Sequence, residues 1–117
     1  MGKRVLIFGV NGFVGTYLVH ELVSAGYKVI GSDLHKKCIN SEVSAYYPCD
    51  LSDARGVLSL VSESNVDYIV NLAAISSVGQ SWSDPALTMR INVEGALNIM
   101  EAARAQETSV RVLLVGS

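Results

Sequence analysis

The chain has 117 residues, half of them hydrophobic and 17% charged, with a formal net charge of −2. That length supports a single domain with a two- or three-layer core, and the composition argues against disorder. The near-neutral balance offers no basic footprint for nucleic acid or for an anionic membrane surface.

Met1-Gly2-Lys3-Arg4 leads directly into Val5-Leu6-Ile7-Phe8, an apolar run too short for a signal peptide or a membrane span. A reduced cytoplasm is the expected setting. The run predicts a first strand near 3–8, and the glycines that follow it, Gly9, Gly12 and Gly15, stand three residues apart before a helix near 12–25. A strand, spaced glycines and a helix form a device for holding a dinucleotide pyrophosphate. Gly9 allows the tight turn, Gly12 lets the backbone approach the phosphates, and Gly15 lets the helix lie close to the sheet. The anion then faces unpaired N–H groups at the positive end of a helix. Ala25-Gly26 marks the helix stop, and Lys28 to Asp33 reads as a second strand ending in an acid. Asp33 lies eighteen residues beyond Gly15, where a Rossmann unit places its ribose-binding carboxylate.

Further strands are predicted near 45–49, 67–73 and 110–115, and further helices near 53–63 and 85–106, with Ser52 or Asp53 capping the first of these. Strands alternating with helices at this spacing imply right-handed crossovers and a parallel sheet. The expected fold is a doubly wound, three-layer α/β arrangement with strand order 3-2-1-4-5 and a ligand crevice at the carboxyl ends of strands 1 and 4. On the long helix, Asp84 is the expected cap and Pro85 the first helical residue. Leu87, Ile91, Leu97, Met100 and Ala103 form an apolar stripe expected to face the core, with any surplus available to a subunit interface. Cys38 and Cys49 form no close metal or redox pair and read as a loop thiol and a strand thiol, so no metal site is expected. The last residues, Val112 to Ser117, read as a buried-type strand without a covering helix, which leads to the expectation of an incomplete domain.

In this order the residues resemble the extended short-chain dehydrogenase/reductase superfamily, the NAD-dependent epimerases and dehydratases of nucleotide sugars. The resemblance covers the whole chain. It rests on the G-x-x-G-x-x-G spacing, on Asp33-Leu34, on Asp50-Leu51, on Asn71-Leu72-Ala73-Ala74, which looks like the family's H-L-A-A with Asn71 in place of histidine, and on Asn92-Val93-Glu94-Gly95-Ala96-Leu97-Asn98. It implies a cofactor site made by Gly9, Asn11, Gly12, Phe13, Val14, Gly15, Asp33, Leu34, Asp50, Leu51, Leu72, Ala73, Ala74, Ser76 and Asn92. Asp50 would take the adenine amino group, the two alanines would leave room for the nicotinamide ribose, and Asn92 would orient polar groups under the active site. Ser77, Gln80 and Trp82 fall in the same loop as Ser76, bordering cofactor and sugar. Glu94 and Glu101 read as a solvated helix face, and neither His20 nor His35 is placed for acid–base work.

Asp33 favours NAD over NADP by repelling a 2′-phosphate, with His35, Lys36 and Lys37 softening that preference. The family's proton-transfer pair, Y-x-x-x-K, does not occur in these residues, while Ser117 occupies a place like that of the family's serine or threonine. The resemblance therefore implies the dinucleotide-binding part of a homodimeric enzyme acting on a nucleotide-activated sugar, most like GDP-mannose 4,6-dehydratases and 4-keto-sugar reductases or epimerases, its tyrosine and lysine supplied by further sequence. The alternative is a cofactor-binding sensor of the same fold without catalysis.

Overall fold

The computed structural model describes residues 2–73 and 85–115. Along the chain these form β1 (Arg4–Phe8), α1 (Phe13–Ser24), β2 (Lys28–Asp33), β3 (Ala45–Pro48), α2 (Ala54–Ser64), β4 (Tyr68–Asn71), α3 (Pro85–Arg104) and β5 (Arg111–Leu114). The five strands make one parallel sheet in the order β3-β2-β1-β4-β5, as the alternation of elements predicts. Register places Leu6 between Ile30 and Ile69, and Ile7 between Gly31 and Val70. Because strand side chains alternate between faces, these two rows point to opposite layers.

One layer is α2 with α3. Leu6, Phe8, Ile30 and Ile69 from the sheet meet Val57, Leu60 and Val61 of α2 and Ile99 and Ala102 of α3. The other layer is α1, whose Val19 packs with Val5, Ile7, Val29 and Val70. Asp53 caps α2 by accepting the Gly56 N–H at 3.1 Å, and Asn65 ends it in the left-handed conformation at φ 50°. Pro85 is the first residue of α3, as expected; Asp84 lies outside the described residues. Among the described residues no helix is long and apolar enough to cross a membrane.

The expected core stripe of α3 is not its buried face. Leu87, Ile91, Leu97 and Met100 are exposed, and Ala103 is only partly buried. The buried residues are Thr88, Gly95, Ile99 and Ala102. The reason is steric: α3 lies so close to the start of the α2 segment that a Cβ on Gly95 would stand 3.0 Å from the Leu51 Cβ. Small residues fit that contact and large apolar ones do not. Ile99, wholly buried, is the large side chain that fills the layer. Ile99→Ala is expected to cost about 2–5 kcal/mol, measured as a lowered denaturation midpoint; an unchanged midpoint would contradict this packing.

Candidate functional site

The turn after β1 is built by contacts that exclude side chains. Gly9 has φ 84°, and a Cβ there would stand 2.8 Å from the Ala73 backbone nitrogen. Its N–H and that of Val10 both donate to the Ser32 carbonyl, at 2.8 and 3.1 Å, which joins the turn to the end of β2. A Cβ on Gly15 would overlap the Val10 carbonyl oxygen, so α1 begins in direct backbone contact with the turn. Gly12 is the N-cap of α1 and supplies no side-chain hydrogen bond, and the first turn carries no acidic residue. The first-turn amides are thus left for an incoming anion, which the helix dipole favours.

Asp33 stands beside this turn at the end of β2. One carboxylate oxygen accepts the Asn11 N–H at 3.0 Å and the other the Leu34 N–H at 2.8 Å. Two backbone donors fix the orientation of the carboxylate, and each oxygen keeps a lone pair for another donor. A cavity of about 80 Å³ opens next to it, lined by Phe8, Gly9, Ser32, Asp33, Leu34, Cys49, Asp50, Leu51, Asn71, Ala73, Ile91 and Asn92. Asp50 sits at its rim, where one oxygen accepts both the Ser52 N–H at 2.9 Å and the Ser52 hydroxyl at 2.8 Å. Those two bonds hold its carboxyl below the ordinary aspartate range. Asn98 of α3 donates to the Leu51 carbonyl at 2.7 Å and so fixes the wall that Asp50 and Leu51 provide.

Burial, with Asp53 and Asp50 nearby, pushes the Cys49 thiol above its ordinary range. A raised thiol pKa leaves less thiolate at a given pH, so Cys49 is expected to alkylate several-fold more slowly than a free cysteine at pH 7.5. The rate should climb as pH rises toward 9, followed by mass spectrometry of the iodoacetamide adduct; a rate equal to that of free cysteine would contradict the burial.

Of the residues expected to bind a cofactor, Gly9, Asp33, Leu34, Asp50, Leu51, Ala73 and Asn92 come together around this cavity. Asn11, Gly12 and Phe13 lie instead on an adjoining surface with Thr16, Tyr17 and Ile39. Phe13 and Val14 have exposed side chains, so at the turn they offer their backbone. Gly15 is buried and serves the packing of α1. The Leu72 side chain is buried in the α1 layer with Val10 and Val19, because alternation past the end of β4 turns it away from the cavity face. Ala74, Ser76, Ser77, Gln80, Trp82 and Ser117 lie outside the described residues. Sequence reasoning assigned no cofactor-site role to the cavity residues Ser32, Cys49 and Ile91 or to Asn98. Asn71 is buried at the switch point, beside Phe8 in register, and its side-chain oxygen accepts the Ala73 N–H at 3.0 Å. For Asn71 and Asn98 the available signal was their place in the two family-like segments.

A glycine turn between β1 and α1, an oriented carboxylate ending β2 and a cavity at the strand-order switch define a nucleotide-binding α/β fold of the Rossmann type. The GDP-mannose 4,6 dehydratase family model matches residues 6–117. The chain belongs to that family. It is 34% identical over 110 residues to a UDP-glucose 4-epimerase of Mycolicibacterium smegmatis, covering 86% of this chain and 34% of that protein. It is 32% identical over 116 residues to a GDP-mannose 4,6-dehydratase of Yersinia enterocolitica, covering 87% of this chain and 31% of the relative. Among solved structures, the UDP-glucose 4-epimerase of Thermus thermophilus in complex with NAD superposes with a TM-score of 0.74 at 33% identity, covering 86% of this chain and 33% of that one. The chain thus spans about a third of the length of the relatives it matches.

Proposed function

We propose that these residues are the NAD-binding part of a longer cytoplasmic, homodimeric enzyme that acts on a nucleotide-activated sugar as a dehydratase, epimerase or 4-keto reductase. The observation that carries the reading is the Asp33 carboxylate, oriented by two backbone amides beside a glycine turn whose helix end has no side-chain cap. The residues fit a dinucleotide: the turn has no room for a Cβ at Gly9, the amides suit a pyrophosphate, and Asp33 suits two ribose hydroxyls. Asp50 and Leu51 would hold the adenine end, with Ala73 and Asn92 toward the nicotinamide. When bound, the nicotinamide supplies hydride transfer. These residues bind and orient it, and the proton-transfer tyrosine and lysine would come from sequence outside them.

The test is titration of NAD+ and NADP+ against the purified chain. NAD+ should bind more tightly, and Asp33→Ala should weaken NAD+ about tenfold while changing NADP+ less, because the lost carboxylate accepts from the 2′-hydroxyl and repels a 2′-phosphate. Tighter binding of NADP+ by the unmodified chain would overturn the cofactor assignment. These residues alone should turn over no nucleotide sugar, since they hold no tyrosine–lysine pair at the required spacing.

A further inference from the structure

Asn11 stands second after Gly9, a place that suggests contact with phosphate, yet every polar atom of its side chain, and its N–H, is engaged within the protein. The N–H donates to Asp33 at 3.0 Å. The side-chain nitrogen donates to the Lys37 carbonyl at 3.0 Å and lies 3.4 Å from the Tyr46 hydroxyl, while the side-chain oxygen accepts the Ile39 N–H at 3.0 Å. The amide orientation is fixed by its partners, since a carbonyl at Lys37 needs the donor end and an N–H at Ile39 needs the acceptor end. The Tyr46 hydroxyl donates in turn to the His35 carbonyl, so it meets Asn11 as an acceptor. Asn40, buried in the same loop, adds a second fastening: it accepts the Glu42 N–H at 2.8 Å and reaches the Thr16 carbonyl of α1 at 3.5 Å.

The segment between β2 and β3 has no regular structure to hold its shape, and it carries the exposed His35, Lys36 and Lys37 directly after the ribose carboxylate. We infer that Asn11, backed by Tyr46, is a positioning residue for the adenosine ribose: a latch that fastens the β2–β3 loop to the glycine turn and sets Asp33 from the same residue. This assignment rests on the dinucleotide reading above. Its distinguishing property is that Asn11 acts through Asp33 and the loop rather than by touching phosphate.

The experiment compares the full chain with Asn11→Ala, Tyr46→Phe, Asp33→Ala and the Asn11→Ala/Asp33→Ala double variant. Trypsin cleavage after Lys36 and Lys37 reports opening of the loop, and NAD+ titration reports binding. Asn11→Ala should speed that cleavage at least about fivefold, because fewer bonds oppose local opening, and should weaken NAD+ about tenfold. In the Asp33→Ala background the further loss from Asn11→Ala should shrink to about twofold or less, as coupled residues do. Tyr46→Phe removes one hydroxyl and should move cleavage and affinity the same way by smaller factors, which preserves the test if Asn11→Ala fails to fold. Unchanged cleavage in both variants would overturn the latch. So would an equal loss of NAD+ affinity with and without Asp33, which would make Asn11 a direct ligand. If the unmodified chain binds no NAD+, the ribose role falls with the proposed function, while the cleavage rates still decide whether Asn11 holds the loop.

Discussion

Gly15→Val is expected to destabilise the chain by about 3 kcal/mol, the upper end for overpacking a tight contact. A Cβ at this position would lie 2.8 Å from the Val10 carbonyl carbon and 2.9 Å from the Gly9 carbonyl oxygen. Both neighbours are backbone atoms of the turn, which Gly9 pins to Ser32 and packs against Ala73, so they have little freedom to retreat. The helix must move instead, lifting Val19 out of the layer where it is wholly buried. A denaturant titration followed by circular dichroism measures the effect. A midpoint equal to that of the unmodified chain would show that α1 is not seated as described.

Gly12→Val should have the opposite profile, with the fold kept and the ligand lost. Gly12 has φ −73° and ψ 170°, an extended conformation open to any residue, so valine adds no backbone strain. What it adds is a branched side chain at the mouth of the first-turn amides. NAD+ affinity should fall at least about 100-fold, or ~2.7 kcal/mol, with an unfolding midpoint close to that of the unmodified chain. A folded Gly12→Val protein that binds NAD+ normally would remove the phosphate cradle from the proposed function.

The features legible in the sequence were those written in local pattern. The runs Val5 to Phe8, Val29 to Ile30 and Ile69 to Val70 are apolar because the central strands of a parallel sheet are covered on both faces. Strand order followed from the alternation of elements, and the glycine turn with Asp33 from spacing. Hydropathy failed on α3 because that helix carries more apolar side chains than its buried face uses. The buried face takes Thr88, Gly95 and Ala102, with Gly95 against Leu51, and a search for large apolar residues passes over all three. The burial of the Leu72 side chain against α1 was not legible either, because motif membership says nothing about which way a side chain leaves the strand end. The latch was invisible for another reason. Asn11 meets Lys37, Ile39 and Tyr46 only after the chain has folded back on itself, and no local period encodes that meeting.

The central place of β1 governs how the chain can acquire its fold during synthesis. Its partners are β2 on one side and β4 on the other, so Leu6 leaves the ribosome more than sixty residues before Ile69, against which it finally pairs. At about 5–20 residues per second that interval lasts several seconds. Throughout it Val5-Leu6-Ile7-Phe8 is a nascent strand with at least one edge unpaired, β-prone and without charge, the kind of segment that pairs wrongly with other chains. Among the described strands, β1, buried from Val5 to Phe8 once folded, is therefore left exposed for a long interval while the polypeptide is being made.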